Sequence, residues 1–427
     1  MGKQHRLETQ VLHAGARVDE TGARAVPVHR TSSYLFKSAE HAANLFGLKE
    51  LGNIYTRLQN PTQDVLEQRM ATLENGAAAL AVASGTSGVF YSIVNICKQG
   101  DEVVSARNLY GGSFTMLNDI LPGFGIKTTF VDPAAPHNFE EAITDRTRAL
   151  YTEVIGNPVL DVAHIEAISA VARRHHLPLI VDSTFTTPYL FRPLDHGADI
   201  VVHSLTKWLG GHGTGIGGIV VDSGKFDWTD RKFSLYNDPE SSYHDLRFGH
   251  DLGELASLAY ILRMRLVPLR NLGACISPDN AWMFLQGIET LPLRMQKHCD
   301  NALAVARYLA DHPKVSWIRY PGLEDDPSHQ TASKQLENGF GGVVVFGLKG
   351  GHDSGVKFIE ALRLFSHLAN VGDARSLAIH PQSTTHSQLT RQQAKEAGLT
   401  PDLVRLSVGI EHVDDLLEDL EQALKSA

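Results

Sequence analysis

Residues 179–208 read LIVDSTFTTPYLFRPLDHGADIVVHSLTKW, and this stretch decides the fold. Two short apolar runs within it, Leu179–Asp182 and Ala198–His203, have the length and β-branched content of buried strands. The first run ends in a carboxylate, and the second leads directly into two hydroxyl side chains and a lysine. In an open α/β sheet the carboxyl ends of parallel strands open onto one crevice. We therefore expect these side chains to lie together: Asp182, Ser204, Thr206 and Lys207.

An acid, a lysine and two hydroxyls in one crevice are the groups that pyridoxal phosphate requires. The amine of Lys207 can form a Schiff base with the cofactor aldehyde, and Asp182 can pair with the protonated ring nitrogen. The hydroxyls of Ser204 and Thr206 can donate hydrogen bonds to the phosphate. A single lysine at a strand end is most often an ordinary polar residue, so the prediction depends on the features that follow.

A glycine-rich turn, Ser84-Gly85-Thr86-Ser87-Gly88, lies between a predicted strand at Ala78–Ala83 and an apolar helix. Glycine lets backbone N–H groups approach an anion, and the start of a helix adds a favourable dipole. We expect Ser84, Gly85 and Thr86 to contribute to a phosphate site. Residues 213–218 match the dinucleotide pattern GxGxxG, but they lead into a strand rather than a helix, so we interpret them as a connection behind the lysine.

Tyr110 follows a predicted strand and precedes a predicted helix, which places it at the same edge of the sheet. An aromatic ring there can stack on a pyridine ring, and its hydroxyl can take part in proton transfer. A packing role is the alternative for any loop tyrosine.

Arg405 is unusual because it interrupts an apolar strand, LVRLSV at 403–408. A buried arginine normally pairs with a carboxylate. The sequence leaves open whether that partner is an internal Asp or Glu or the carboxylate of a substrate.

Strands and helices alternate from residue 78 to residue 203, which predicts a parallel sheet with helical crossovers. Beyond about residue 285, long amphipathic helices flank short strands, and this pattern is typical of an α+β domain. We therefore predict an extended arm at 1–64, a large cofactor-binding domain at 65–285 and a small domain at 286–427. The predicted strands are 78–83, 102–105, 127–131, 149–154, 179–182, 199–203, 218–222, 342–346 and 404–408. The predicted helices include 64–75, 113–121, 139–142, 164–175, 293–311, 353–364 and 413–425.

Composition excludes several classes of protein. The chain has 427 residues, a net charge of −9 and no lysine- or arginine-rich block, which argues against a nucleic-acid partner. Its three cysteines form no CxxC pair, so we expect no disulfide framework and a reducing compartment. No stretch resembles a signal peptide or a membrane span, and no histidine or cysteine spacing predicts a metal site. We expect a cytoplasmic protein.

With these residues placed, the chain resembles the Cys/Met-metabolism branch of the fold-type-I pyridoxal-phosphate enzymes, which have the aspartate-aminotransferase-like fold. Three motifs support the resemblance: the lysine segment HSLTKWLGGHG at 203–213, Gly156-Asn157-Pro158, and the arm motif Tyr55-Thr56-Arg57 before Asn60-Pro61-Thr62. The similarity extends over nearly the whole chain, from Leu12-His13-Ala14-Gly15 to Arg405-Leu406-Ser407-Val408-Gly409.

The resemblance implies a role for each matched residue. Lys207 would carry the cofactor, Asp182 would pair with its ring nitrogen, Tyr110 would stack on the ring, and Asn157 would bond the ring's phenolic oxygen. Arg405, with Asn370 and Asn157, would bind the substrate. Tyr55 and Arg57 would reach the phosphate in a neighbouring subunit, which implies a homodimer, usually paired into a tetramer. The phosphate would be held by Ser84, Gly85, Thr86, Ser204 and Thr206.

The segment Asn370-Val371-Gly372-Asp373-Ala374-Arg375-Ser376-Leu377, followed by His380-Pro381, resembles the O-acetylhomoserine sulfhydrylase branch of the family. The resemblance implies γ-replacement, in which O-acetyl-L-homoserine and sulfide or methanethiol give homocysteine or methionine and acetate. Cystathionine synthesis and γ-elimination are the alternatives within the family.

Overall fold

The computed structural model describes residues 5–16, 18–381, 384 and 399–427. Within them, two β-sheets with flanking helices account for most of the regular structure, one of seven strands and one of five. The seven-stranded sheet uses residues between 78 and 222, and the five-stranded sheet uses residues between 315 and 407.

The larger sheet is mostly parallel. Its order is β1-β7-β6-β5-β4-β2-β3, and β7 runs antiparallel to both of its neighbours while all other adjacent pairs are parallel. The strands are β1 Ala78–Val82, β2 Glu102–Ala106, β3 Lys127–Val131, β4 Thr147–Glu153, β5 Leu179–Asp182, β6 Ile200–Ser204 and β7 Gly218–Asp222. The predicted α/β architecture with a mostly parallel large sheet is confirmed, and β1, β4, β5 and β6 all end at the same edge.

Apart from the edge strand β3, nearly every central residue of these strands is buried, because helices cover the sheet. The helices of the first 290 residues are α1 Leu7–His13, α2 Ala39–Phe46, α3 Pro61–Leu73, α4 Gly85–Val94, α5 Gly111–Thr115, α6 His137–Ala142, α7 Ile165–Arg174, α8 Thr187–Leu190, α9 Ser234–Asn237, α10 Ala259–Met264, α11 Arg270–Leu272 and α12 Pro278–Glu289. Shorter 3-10 or π-helical turns occupy Met116–Ile120, Leu121–Phe124, Pro193–His196, Gly253–Leu258 and Arg265–Leu269.

The second sheet has the order β10-β11-β12-β9-β8, in which only β10 and β11 are parallel. Its strands are β8 Val315–Arg319, β9 Val343–Leu348, β10 Ser366–His367, β11 Leu377–Ile379 and β12 Leu403–Ser407. The helices of this half are α13 Leu291–Ala310, α14 His329–Gln335, α15 His352–Ala361 and α16 Val413–Ser426. A separate apolar cluster lies between this sheet and its helices, as the α+β prediction requires.

The structure differs from the sequence predictions mainly where helices begin. Helix α3 starts at Pro61 rather than 64, because the Asn60 side chain accepts a hydrogen bond from the Thr62 N–H at 2.9 Å and caps the helix. The arm at 1–64 is not wholly extended, since it contains α1 and α2. Helix α12 crosses the predicted domain boundary at 285, and the predicted helix 113–121 is divided between α5 and two irregular turns.

No helix of the described residues is long and apolar enough to cross a membrane. The same residues contain no group of three potential metal ligands close enough to hold an ion. All three cysteines are free thiols, and two of them are buried.

Candidate active site

Lys207 follows β6, and its side chain points into a large pocket at the carboxyl edge of the main sheet. Its Nζ donates a hydrogen bond to Oδ1 of Asn370 at 2.5 Å. Burial, and then the nearby positive charge of Arg405, lowers the pKa of the Lys207 amine to about 8. The amine is therefore much closer to its neutral, nucleophilic form at physiological pH than an ordinary lysine.

Asp182 ends β5 and lines the same pocket, with Oδ1 accepting a hydrogen bond from the Thr184 N–H at 2.9 Å. It makes no salt bridge within the described residues, and burial raises its pKa. Thr184, which the sequence analysis missed, also accepts a hydrogen bond from the Ser204 N–H through Oγ1 at 2.8 Å. Thr184 is therefore hydrogen-bonded to the ends of both β5 and β6, the strands that carry Asp182 and Ser204.

The first turn of α4 also lines the pocket, next to the end of β6. The Ser84 side chain caps this helix by accepting from the Ser87 N–H at 3.0 Å. The N–H groups of Gly85 and Thr86 precede the first helical carbonyl acceptors, so they are available to an anion. A Cβ at Gly85 would lie 2.7 Å from Cβ of Ser204, which explains why glycine is required there. Thr206 also lines the pocket, and its Oγ1 accepts a hydrogen bond from the Gly217 N–H at 3.1 Å.

Tyr110 lies immediately before α5, and its half-exposed ring lines the pocket. Its backbone N–H donates to Oε1 of Glu153 at 2.7 Å. Glu153 ends β4 and is the register partner of Asp182 on β5, so two carboxyl groups lie side by side. The sequence analysis missed Glu153, although its signal, an acid ending an apolar strand, is the one that identified Asp182.

Arg405 extends from β12 of the second sheet into the pocket of the first. It is only 6% exposed, and Nη1 donates to Oδ1 of Asn157 at 3.2 Å. Burial lowers its pKa to about 10. No Asp or Glu of the described chain pairs with it, so the internal-carboxylate alternative is wrong for these residues.

Tyr55 and Arg57 are not among the residues that line this pocket. The Arg57 guanidinium lies 5.3 Å from the centre of the Tyr55 ring, and Nε is buried without a hydrogen-bond partner in the described chain. All other predicted site residues line the pocket: Ser84, Gly85, Thr86, Tyr110, Asn157, Asp182, Ser204, Thr206, Lys207, Asn370 and Arg405.

The pocket has a volume of about 1450 Å³ and fits pyridoxal phosphate chemically. An amine of lowered pKa, a carboxylate without a cationic partner and a helix N-terminus surround one space. These groups match the aldehyde, the ring nitrogen and the phosphate respectively.

Comparisons with known proteins agree with this chemistry. The chain is 53% identical to the O-acetyl-L-homoserine sulfhydrylase of Leptospira meyeri, over 100% of this chain and 98% of the relative. It is 49% identical to the homocysteine synthase of Schizosaccharomyces pombe, over 99% and 98% of the two chains. A crystal structure described as an O-acetylhomoserine (thiol)-lyase from Campylobacter jejuni, with a pyridoxyl-lysine monophosphate residue, superposes with a TM-score of 0.96. That chain is 38% identical, and the match covers 99% of this chain and 100% of that one.

The sequence profile described as Cys/Met metabolism PLP-dependent enzyme matches residues 8–425. This match covers nearly the whole chain, and the fold and the pocket agree with it. The chain therefore belongs to the Cys/Met-metabolism family of PLP-dependent enzymes, and its cofactor is pyridoxal phosphate.

Proposed function

We propose that the chain catalyses γ-replacement, converting O-acetyl-L-homoserine and sulfide or methanethiol into L-homocysteine or methionine and acetate. The observation that carries the proposal is a buried Arg405 with no internal carboxylate partner, facing the same pocket as Lys207. A buried guanidinium without a carboxylate partner, beside an amine, suits an α-amino acid, because the substrate carboxylate can pair with the guanidinium and the amine can take the Cα proton. The names of the relatives, which act on O-acetylhomoserine or make homocysteine, favour this amino acid.

Arg405 orients the substrate by binding its α-carboxylate, and Asn157, already bonded to Arg405, holds the guanidinium in place. The Lys207 amine takes the Cα proton at Nζ and returns protons to neighbouring carbons, which its pKa of about 8 permits near neutral pH. Pyridoxal phosphate, when bound, supplies the electron sink for the charge that develops at Cα. Asn370 accepts a hydrogen bond from Nζ and so positions the amine whenever it is free.

The remaining residues hold the cofactor in this proposal. Asp182 would keep a proton on the ring nitrogen, Tyr110 would stack on the ring, and Asn157 would bond the phenolic oxygen. The amides of Gly85 and Thr86 and the hydroxyls of Ser84, Ser204 and Thr206 would hold the phosphate. The supporting observation is that these groups line one pocket at the strand ends.

Product analysis tests the reaction. The holoenzyme is incubated with acetyl-, succinyl- or phosphohomoserine, each with sulfide, methanethiol, cysteine or no thiol, and the products are separated by chromatography. Homocysteine from the acetyl ester and sulfide, or methionine from methanethiol, supports γ-replacement. Cystathionine or 2-oxobutyrate as the main product would instead assign cystathionine γ-synthase or γ-lyase activity.

We propose further that the active unit is a homodimer in which Tyr55 and Arg57 complete the partner's pocket. Neither side chain lines the pocket of its own chain, and the buried Arg57 Nε lacks an acceptor among the described residues. The pocket wall also exposes large apolar side chains, which a second chain would cover: Ile120, Phe124, Ile216 and Leu272. A tetramer built from two such dimers is the assembly expected for the family.

Hybrid oligomers test the shared site. Arg57→Ala and Lys207→Ala chains are each expected to be inactive, but a mixed dimer has one pocket with both an intact lysine and an intact arm. Activity above the sum of the two parents in co-refolded hybrids supports the proposal, with light scattering to establish dimer or tetramer. No recovery in verified hybrids would show that the arm acts within its own subunit.

We also propose a cytoplasmic location, where thiols stay reduced. The three cysteines are unpaired, and burial raises the pKa of the Cys97 and Cys299 thiols far above the usual range. Such thiols are inert packing residues, as is common in reducing compartments.

A further inference from the structure

Glu153 is a carboxyl group in the pocket to which the reaction proposed above assigns no function. It is 7% exposed and ends β4 beside Asp182, its register partner on β5. Adjacent strands lie about 4.8 Å apart, so paired residues of parallel strands present their side chains next to each other. Two carboxylates that close cannot both be charged without a large electrostatic penalty.

The contacts of the two acids distinguish them. Asp182 is hydrogen-bonded to both the N–H and the side chain of Thr184, and nearby His203 also lowers the pKa of Asp182, whereas Glu153 accepts one hydrogen bond, from the Tyr110 N–H. The titratable groups facing Glu153 are Asp182 and Tyr151, and neither supplies a positive charge. No cation of the described chain pairs with Glu153. Burial, and then the charge of Asp182, raises the pKa of Glu153 well above its ordinary value.

The Tyr110 backbone makes two hydrogen bonds: its carbonyl accepts from the Phe114 N–H within the helix that follows, and its N–H donates to the buried Glu153 carboxyl. The Tyr110 ring packs directly against Gly112, since a Cβ added at Gly112 would lie only 2.5 Å from Cε1 of the ring. The ring is otherwise half exposed, and no aromatic side chain of the described residues packs against it. The hydrogen bond that the Tyr110 N–H donates to Glu153 therefore fixes the start of this helix against the end of β4, and with it the place where the Tyr110 ring meets the pocket.

We propose that Glu153 is a positioning residue: an uncharged carboxyl that anchors Tyr110 over the cofactor, leaving Asp182 as the charged member of the pair. The inference rests on the proposed role of the Tyr110 ring. It is independent of which reaction the enzyme catalyses, so its test uses cofactor binding rather than turnover.

A matched pair of variants tests separately whether Glu153 is needed as a hydrogen-bond acceptor and whether it is needed as a negative charge. Glu153→Gln has the shape of a protonated glutamate and keeps a carbonyl oxygen for the Tyr110 N–H, whereas Glu153→Met keeps size without an acceptor. Apoprotein is titrated with pyridoxal phosphate, and the dissociation constant is measured by quenching of tryptophan fluorescence. We expect Glu153→Gln to bind within about twofold of wild type and Glu153→Met to bind about fivefold to tenfold more weakly, as for a lost hydrogen bond. Equal weakening in both variants would show that a charge is needed and would overturn the proposal.

A double-mutant cycle tests whether Glu153 acts through Tyr110. In a Tyr110→Ala background, where affinity is already reduced, Glu153→Met should change the dissociation constant by less than about twofold. The proposal would be overturned if Glu153→Met weakened cofactor binding in this background as much as it does in wild type. It would also be overturned if Tyr110→Ala bound pyridoxal phosphate as tightly as wild type. If Glu153→Met does not fold, the pH dependence of the bound cofactor's absorbance decides. Profiles that coincide at neutral pH and below in wild type and Glu153→Gln support an uncharged Glu153, and a transition below neutral pH that is lost in Glu153→Gln refutes it.

Discussion

Burial of Arg405 has a stability cost, and the proposed function gives Arg405 a role in substrate binding, so its removal should separate the two effects. Its pKa is about 10 rather than the ordinary 12.5, and it keeps its charge at neutral pH. One pKa unit corresponds to about 1.4 kcal/mol, so burial disfavours the charged form in the folded protein by about 3 kcal/mol. Because the folded pKa is the lower one, this penalty is complete below pH 10 and disappears only as the pH rises towards 12.5.

Arg405→Met should therefore not destabilise the cofactor-free protein. Relief of the penalty is offset by about 1 kcal/mol for the lost hydrogen bond to Asn157, so the free energy of unfolding should be unchanged or rise by up to about 2 kcal/mol. Substrate binding should suffer, since a charge-assisted contact to a carboxylate contributes about 1.5 to 3 kcal/mol. KM for the amino-acid substrate should rise about 10-fold to 150-fold.

Arg294 provides the control, because it is equally buried and its pKa is likewise lowered to about 10. Unlike Arg405, it donates to the carbonyls of Trp208 and Gly287 at 2.7 and 2.6 Å. Arg294→Met relieves a similar penalty but loses four hydrogen bonds of the guanidinium, to Thr290, Trp208, Leu209 and Gly287. At about 1.5 kcal/mol or more for each bond to a charged group, the loss exceeds the relief, and the free energy of unfolding should fall by about 2 kcal/mol or more. Urea unfolding of both variants and steady-state kinetics of Arg405→Met provide the comparison. If Arg405→Met is as unstable as Arg294→Met while KM is unchanged, Arg405 is structural and the substrate assignment is wrong.

Three further outcomes are expected. Lys207→Ala should bind the cofactor weakly and lose both turnover and the absorbance near about 420 nm, and a persisting band would remove Lys207 from its role. Asp182→Asn should lower kcat about 100-fold or more, because about 3 kcal/mol of transition-state stabilisation is lost with the anion, and a kcat near wild type would contradict the assignment. The rate at which apoprotein captures the cofactor aldehyde should rise with pH and reach half its maximum near 8, the pKa of Lys207, because only the neutral amine attacks. That midpoint should move upward in Arg405→Met, which lacks the neighbouring positive charge, and a rate independent of pH would argue against a buried amine.

The sequence predicted those parts of the site that lie at the ends of recognisable strands. Asp182, Ser204 and Lys207 follow apolar runs, so their convergence follows from the geometry of parallel sheets. Strand order is not encoded locally, and the antiparallel β7 between β1 and β6 was therefore beyond prediction from periodicity.

Contacts between distant segments were equally inaccessible from sequence patterns. Asn370 lies 163 residues from Lys207, and Arg405 lies 248 residues from Asn157, yet both pairs are hydrogen-bonded. Asn370, expected at the substrate, contacts the lysine amine here. The start of helix α3 was misplaced for a local reason: the prediction began the helix at 64, although asparagine followed by proline is a common start of a helix.

The charges in the pocket explain how an acidic chain can select an anionic cofactor and substrate. The net charge of −9 would repel anions at long range. Locally, however, Lys207 and Arg405 are held without carboxylate partners among the described residues, and the first turn of α4 presents free amides. If Glu153 is uncharged, Asp182 is the one carboxylate of its pair, placed for a protonated ring nitrogen. Each unpaired cation is costly to bury in the free protein, and a bound phosphate or carboxylate relieves part of that cost. The fold thus creates the affinity of the site for anions, because it buries Lys207 and Arg405 without placing a carboxylate of the described residues beside either of them.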